Sequence, residues 1–525
     1  MDTLCTSHYL GAVSTPALAT RVVRGLLWTG SPFLVHILTL LLFYGSLPPE
    51  QMGPFAFALP VVMMAALLGD LGLGTALVQH REATDRHFSS AFWVSLTWGT
   101  VLTVAIVTTA PVVAPLAGSD GEITSVRILG WLSLIVPLAS VSGLFRARLQ
   151  RELRFAAMAR AEIASVLIYS VVALALLPPL QLWALVIGSI VRELALLVGL
   201  WIAAAWRPRF QFSPAALRDI IRFGLNFTGE RTVGFANSRL AQILILPAIG
   251  KVAAAQYGLI TLYTITPLVR LSTILHRVSM PAFSTIQDRQ AQLAGGYIKA
   301  IQGVALLLWP LATGMFLFAE ELLAVVSQEY AVASRALQLL ALAFILKSVG
   351  SIVGAVFLAK GRADWSFRWT LASFAILVPA LILGFPHGLT GVAAAILATS
   401  VLNFIVTQIM VHRLIRFSLP AFLAGLGRPI AVCLALGLAL GLAQTLFLQR
   451  MPDAAALSPL RELLSDRVDA ATVLLQAAVC GLIAYAVALR LIAAEQCREY
   501  WHSLRGTGER GRPDAAPSAG IAEDA

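Results

Sequence analysis

The chain has 525 residues, of which 58% are hydrophobic and only 12% are charged, and its mean hydropathy is +0.82. This composition excludes an ordinary soluble protein of the same length and indicates an integral membrane protein with little mass outside the lipid. The formal net charge of +11 does not indicate nucleic-acid binding, because the basic residues are spread over alternate loops rather than gathered in one patch.

Fourteen apolar segments follow one another along the chain and are predicted to cross the bilayer as helices. A helix in hydrocarbon satisfies its own backbone hydrogen bonds, so a long uncharged stretch of about twenty residues is interpreted as a span. The predicted spans are 26–46, 53–78, 90–117, 128–145, 161–178, 181–205, 219–247, 253–275, 297–318, 335–358, 366–384, 388–411, 427–448 and 470–492.

The basic residues predict the orientation of these spans. Arginines concentrate in every second loop, for example Arg146, Arg148 and Arg151 after the fourth span, and such residues stay on the cytoplasmic side. Both termini are therefore predicted to be cytoplasmic. Residues 1–25 would form a cytoplasmic N-terminal segment, and residues 493–525, rich in Gly, Pro, Ala and charge, are predicted to be a disordered tail.

The basic, proline-containing loop 206–222 divides the spans into two sets. We predict an N-lobe of six spans over 26–205, a C-lobe of six spans over 219–411, and an appended pair of spans over 427–492. The predicted fold class is an all-α polytopic membrane protein. No convincing internal repeat accompanies this division, which rests on the helix count.

The seventh span is the most polar of the predicted helices. At about 100° per residue, Asn226, Glu230 and Asn237 share one narrow arc, with Arg231 beside it and Arg239 beyond. Such a face cannot lie against lipid and is predicted to line a watery cavity. The alternative is an internal ion pair of Glu230 with Arg231 or Arg239 that holds two helices together.

Four further polar residues stand out in the spans. Lys347 lies near the middle of the tenth span, where snorkelling is difficult, and Arg270 in the eighth span could reach a cavity or snorkel. His36 in the first span could couple transport to protons or hydrogen-bond to a neighbour. Asp70, among three glycines, could cap a helix segment or pair with a cation. His36, Asp70 and Glu230 are the candidates for coupling or gating.

The intramembrane charges are mostly positive, which suits a cavity for an anionic head group. The predicted head-group residues are Arg231, Arg239, Arg270, Lys347, Asn226 and Asn237. No Walker loop, zinc helix or serine elbow is present, so no catalytic residue and no cofactor are predicted. The four cysteines have no metal-ligand spacing, and no metal site is predicted.

Several segments in order resemble a known family. The run Ala66–Gln79, the segment Phe88–Trp93, the opening of the seventh span at Arg222–Gly229 and the segment Met280–Ser284 are similar to the polysaccharide transporter family of bacterial flippases, which includes Wzx-like O-antigen flippases. That family belongs to the multidrug/oligosaccharidyl-lipid/polysaccharide (MOP) exporter superfamily. The likeness extends over roughly residues 20–420.

The resemblance implies a V-shaped pair of six-helix lobes that works by alternating access. It implies transport of an undecaprenyl-pyrophosphate-linked oligosaccharide across the bacterial inner membrane, for synthesis of exopolysaccharide, capsule or O-antigen. The pyrophosphate would meet the basic residues of the cavity, and a polysaccharide polymerase and chain-length proteins are possible partners. Membrane lipids would hold the lipid tail.

The chain also departs from the family pattern. An arginine usual at the end of the first span is replaced within Phe43–Leu47, an acidic residue of the seventh span within Ala241–Leu244, and an arginine of the eighth span within Gly258–Tyr263. The coupling ion therefore stays open. Three alternatives are a flippase for a lipid-linked cell-wall precursor, a cation-coupled drug exporter, which the positive bias disfavours, and a membrane scaffold in a polysaccharide assembly complex.

Overall fold

The computed structural model describes residues 32–113, 122–269, 283–284 and 286–448, with residues 474, 481, 485 and 487. All regular secondary structure in these residues is helical, which confirms the predicted all-α class. The helices are α1 (Pro32–Ser46), α2 (Pro49–Gly69), α3 (Leu73–Gln79), α4 (Asp85–Val113), α5 (Glu122–Leu132), α6 (Ile135–Arg151), α7 (Phe155–Leu180), α8 (Leu182–Ala203), α9 (Pro214–Ala248), α10 (Lys251–Tyr263), α11 (Gln290–Leu317), α12 (Ala319–Ala324), α13 (Gln328–Ala331), α14 (Ser334–Ala359), α15 (Ala363–Gly384), α16 (Gly388–Ile415) and α17 (Leu419–Leu448).

Within the described residues, ten helical segments are long and apolar enough to cross a membrane. One of them, Asp364–Ile415, bends at the 3₁₀ turn Phe385–His387 and so contains both α15 and α16. Helix α9 is not among the ten, because charged and amide side chains recur along it. The chain is therefore a multi-pass membrane protein. The predicted fourteenth span, 470–492, lies almost wholly outside the described residues, so the count of fourteen stays a prediction.

The outward faces of these helices carry large apolar side chains, as a lipid-facing surface requires. The most exposed of them lie on helices from both halves of the chain. They include Val171, Ile202, Leu383, Leu434, Leu438 and Leu442.

The second predicted span, 53–78, is interrupted at Asp70. Helix α2 ends at Gly69, the chain passes through Leu71 (φ 50°) and Gly72 (φ 65°), and α3 begins at Leu73. A positive φ disfavours residues with a Cβ, and a Cβ at Gly72 would also collide with the carbonyl of Gly224 in α9. The glycines therefore let the chain unwind and let α9 approach closely.

Helix α9 begins at Pro214 rather than at residue 219. The hydroxyl of Ser213 accepts a hydrogen bond from the backbone N–H of Ala216 at 3.3 Å, and proline suits the first helical position. The second half of the predicted loop 206–222 is thus already helical. Helix α17 likewise begins at Leu419 rather than at residue 427.

Two groups of helices meet at α2. In the first group α7 packs along α8 and α4 along α6, and in the second α14 packs against α11 and α16. Helix α2 contacts both α9 and α10 and so joins the groups. At its start, a Cβ on Gly53 would collide with the carbonyl of Lys251, and a Cβ on Gly258 would collide with the Tyr44 hydroxyl. The N-terminal parts of α2 and α10 are therefore closely packed.

Candidate functional site

The polar side chains of α9 have different surroundings. Asn237 lines a cavity in the second helix group, Arg239 turns toward α2, and Arg231 is exposed. The side chain of Asn226 and all of Arg270 lie outside the part of the chain that the structure describes.

Arg239 belongs to a contact between α9 and α2. Its Nη1 donates to Oε1 of Gln242 at 2.9 Å, and Nε2 of Gln242 donates to the carbonyl of Ala56 at 3.0 Å. Gln242 is buried, so this chain of hydrogen bonds satisfies a polar group that would otherwise be costly inside the protein. Arg239 is not part of the Lys347 cavity lining, and its role toward a substrate stays a prediction.

Arg231 and Glu230 are both exposed. The Arg231 guanidinium lies 5.5 Å from the ring centroid of Phe227. Among the described residues Glu230 forms no ion pair, so the alternative of an internal pair with Arg231 or Arg239 is not found there.

Lys347 and Asn237 line one cavity, although they are far apart in sequence. Helices α9, α14, α15 and α16 surround this space, which has a volume of about 550 Å³. An adjoining recess of about 60 Å³ shares six of its lining residues and extends to Tyr257. We call this space the Lys347 cavity. Lys347, near the middle of α14, is the only charged side chain among its described lining residues.

Several polar groups in this lining have no protein partner. The hydroxyl of Ser373 is buried without a hydrogen bond, and neither Lys347 nor Asn237 forms a hydrogen bond or ion pair within the described chain. The indole Nε1 of Trp369 donates to Oδ1 of Asn403, so the Asn403 NH₂ group is left to donate elsewhere. A membrane protein normally pairs its polar groups at this depth, so such a cluster can bind a polar ligand.

Trp369, Ser373 and Asn403 were not predicted as site residues. A usable signal was present for Asn403, an amide in the middle of the otherwise apolar span 388–411. The neighbouring spans gave no indication that Trp369 and Ser373 face the same cavity.

The coupling candidates lie elsewhere. The ring of His36 packs on Tyr169 with centroids 5.2 Å apart, and nearby the Thr39 hydroxyl donates to Ser170 at 2.8 Å, so α1 is held to α7. Asp70 lies at the break after α2, and its Oδ1 is buried without a hydrogen bond among the described residues. None of these lines the Lys347 cavity. In the described chain no group of three or more His, Cys, Asp or Glu side chains could hold a metal ion.

Comparisons with known sequences identify relatives in surface-polysaccharide synthesis. The teichuronic acid biosynthesis protein TuaB of Bacillus subtilis (strain 168) is 26% identical over 432 residues, which cover 81% of this chain and 89% of that protein. The lipopolysaccharide biosynthesis protein WzxC of Escherichia coli (strain K12) is 25% identical over 74% of this chain and 78% of its own. The succinoglycan biosynthesis transport protein ExoT of Rhizobium meliloti (strain 1021) is 27% identical over 62% of this chain and 67% of its own.

Solved structures share the fold. The lipid II flippase MurJ in an inward closed conformation has a TM-score of 0.66 at 12% identity, covering 88% of this chain and 98% of that one. An inward-facing multidrug resistance MATE family transporter of the MOP superfamily has a TM-score of 0.56 at 17% identity, covering 74% and 96%. The family model described as polysaccharide biosynthesis protein matches residues 47–331, more than half of the sequence. The chain therefore belongs to the polysaccharide biosynthesis protein family and has a MOP-type fold, as the resemblance of its motifs predicted.

Proposed function

We propose that this protein is a flippase that moves an undecaprenyl-pyrophosphate-linked oligosaccharide across the bacterial inner membrane for surface polysaccharide synthesis. Its family and the relatives named for teichuronic acid, lipopolysaccharide and succinoglycan biosynthesis support this assignment. The observation that carries it is the Lys347 cavity, a space at membrane depth with a cation and several unpartnered polar groups. No catalytic step is proposed.

Transport would proceed by alternating access of two lobes, 26–205 and 219–411, with the helix pair 427–492 beside them. The close contacts of Gly53 with Lys251 and of Gly258 with Tyr44 support a closed gate at one end of α2 and α10. The rings of Tyr44 and Tyr330, with centroids 5.7 Å apart, add to the same contact. With both termini cytoplasmic, this closed end would face the periplasm.

The head group would meet cations of the seventh and eighth predicted spans. Arg231, which is exposed on α9, and Arg270 would bind the pyrophosphate, with Arg239 and Asn226 on the same helix α9 as Arg231. Asp70, whose Oδ1 is buried without a hydrogen bond among the described residues at the break between α2 and α3, stays a candidate for gating. His36 and Glu230 stay candidates for ion coupling. A polysaccharide polymerase and chain-length proteins would receive the product.

The test is leaflet movement of a fluorescent polyprenyl-pyrophosphate oligosaccharide in proteoliposomes, followed by a membrane-impermeant quencher. We expect flipping by the native chain and a loss of at least tenfold in rate for Lys347→Gln, because the cavity then has no cation. Lys360→Gln is the matched control, since Lys360 caps the C-terminus of the same helix α14 and does not line the cavity.

A stably folded native chain that flips none of several lipid-linked oligosaccharides would overturn the proposal. The scaffold alternative would then gain support, provided that polysaccharide assembly in cells still depends on the protein. Equal flipping rates of the native chain and Lys347→Gln would leave the assignment as a flippase in place and would show that the cation of the Lys347 cavity is not needed for flipping.

A further inference from the structure

We propose that the Lys347 cavity binds a carboxylate-bearing sugar of the transported glycan, so that this chain selects an acidic saccharide. The inference rests on the proposed function for the identity of the cargo. The binding itself is a property of one cavity and can be measured without transport.

The lining has the chemistry of a saccharide site. Amides and hydroxyls from four helices surround the space together with one indole, and saccharides are bound by such a mixture of polar groups and aromatic rings. Among the polar lining residues are Asn237, Trp369, Thr370, Ser373, Ser400 and Asn403.

Most of these hydroxyls cannot donate to a ligand. Those of Thr370, Ser400 and Thr407 donate to carbonyls one turn earlier in their own helices, at 2.9, 2.6 and 2.7 Å. Their oxygens can still accept, so they suit the hydroxyl groups of a sugar. The donors that remain include the Lys347 ammonium, the amide NH₂ groups of Asn237 and Asn403 and the Ser373 hydroxyl, which suit an acceptor such as a carboxylate.

The charge of the site matches a monoanion. Lys347 is the single cation of the described lining, and one carboxylate would neutralise it. A pyrophosphate carries more than one negative charge and would leave net charge buried at membrane depth, which is costly. Arginine is better suited than lysine to bind a pyrophosphate, and Arg231 is exposed on the same helix as Asn237.

The dimensions of the cavity also fit a sugar that is attached to the pyrophosphate. A volume of about 550 Å³ lies within the range of small-ligand sites, about 300–1,000 Å³, and accommodates a short saccharide but not a polyprenyl chain. Arg231 and Asn237 are separated by about 9 Å along the axis of α9, at 1.5 Å per residue. A saccharide attached to a head group at Arg231 is therefore long enough to reach the level of the cavity along α9.

The experiment is calorimetric binding of soluble probes to the full chain in nanodiscs. The probes are several pairs of disaccharides that differ only by one carboxylate, such as cellobiouronic acid and cellobiose, and farnesyl pyrophosphate as a sugar-free lipid pyrophosphate. We expect at least one acidic member to bind tenfold or more tightly than its neutral partner. Lys347→Gln should reduce that ratio to about one, while neutral binding and farnesyl pyrophosphate binding stay unchanged.

The variants Lys347→Arg and Lys360→Gln complete the design. Lys347→Arg keeps the charge and should retain part of the preference, and Lys360→Gln should retain all of it. If Lys347→Gln instead weakens farnesyl pyrophosphate binding, the cavity holds the pyrophosphate and the inference is wrong. It is equally wrong if no pair shows a preference that depends on Lys347.

The flipping assay separates this inference from the proposed function. A native chain that flips neutral and acidic lipid-linked oligosaccharides alike, without preference in the binding experiment, would overturn only the inference. Binding of acidic saccharides that depends on Lys347, without any flipping, would retain the cavity assignment and overturn the flippase.

Discussion

The indole Nε1 of Trp369 donates a hydrogen bond to Oδ1 of Asn403, which joins α15 to α16 in the wall of the Lys347 cavity. The bond orients the amide of Asn403, so that its NH₂ group is free to meet a ligand. It also keeps two polar groups paired at a depth where water does not compete.

Trp369→Phe and Asn403→Leu should therefore show coupled effects on stability. Each single change leaves one partner without its hydrogen bond, which costs about 1–3 kcal/mol, whereas the double change removes both groups. We expect the double variant to lose less than the sum of the two single losses, by about 1 kcal/mol. Thermal unfolding of the four proteins in the same detergent measures this, and strictly additive losses would mean that the two groups are not bonded.

Gly258→Ala should weaken the closed end of α2 and α10. A Cβ at Gly258 would meet the Tyr44 hydroxyl and lie 2.9 Å from Cβ of Ala56, so α10 would have to move away. We expect a lower melting temperature and a several-fold slower flipping rate. Gly314→Ala is the control, since a Cβ there has no atom within 4 Å, and a similar loss in both variants would contradict the prediction.

Gly72→Ala should be more damaging than Gly361→Ala. Both glycines have nearly the same backbone conformation, with φ of 65° and 66°, so both variants carry a similar strain of about 1–2 kcal/mol. Only Gly72 also meets a neighbour, the carbonyl of Gly224, whereas a Cβ at Gly361 has nothing within 4 Å. The difference in melting temperature between the two variants measures the close approach of α9, and equal effects would show that the strain alone matters.

Arg151→Ala should destabilise the end of α3. The Arg151 Nη1 donates to the carbonyls of Leu77 and His80 at 2.7 and 2.5 Å, and Nη2 donates to that of Arg81 at 3.3 Å. Hydrogen bonds to a charged donor are worth about 1.5–3 kcal/mol each before solvent exposure reduces them. Arg154→Ala is the matched control, because within the described residues the Arg154 side chain forms only a 3.6 Å pair with Glu152.

Arg151→Lys gives a second measurement at the same position. Lysine keeps the charge but cannot span three carbonyls with a planar fork, so we expect it to restore less than half of the lost melting temperature. Full rescue by lysine would mean that charge, rather than the hydrogen bonds, holds the end of α3.

Much of the fold follows from local sequence. The apolar segments predict helices because a chain in hydrocarbon must satisfy its backbone within each segment. The break after Gly69 was not predicted, since the sequence predicts one span over 53–78, although the glycines around Asp70 permit it. Lys347 was predicted as a head-group residue from its place in the middle of an apolar span. The structure places it in a cavity lining, and its role toward a substrate stays a prediction. The family was predicted from ordered motifs, and the match over residues 47–331 confirms it.

The partners of each polar residue were decided by the tertiary structure. Helical periodicity placed Asn237 on the same side of α9 as Glu230, whereas in the structure Asn237 lines the cavity together with Lys347. Arg239 donates a hydrogen bond to Gln242, which in turn donates to the carbonyl of Ala56. Those outcomes depend on the rotation and packing of helices whose residues are far apart in sequence. Most helices could be predicted from the sequence because backbone pairing in lipid is local, and the family could be predicted because its motifs are short and ordered along the chain. The convergence of Lys347, Asn237, Trp369 and Asn403 on one cavity was decided only by the packing of four helices.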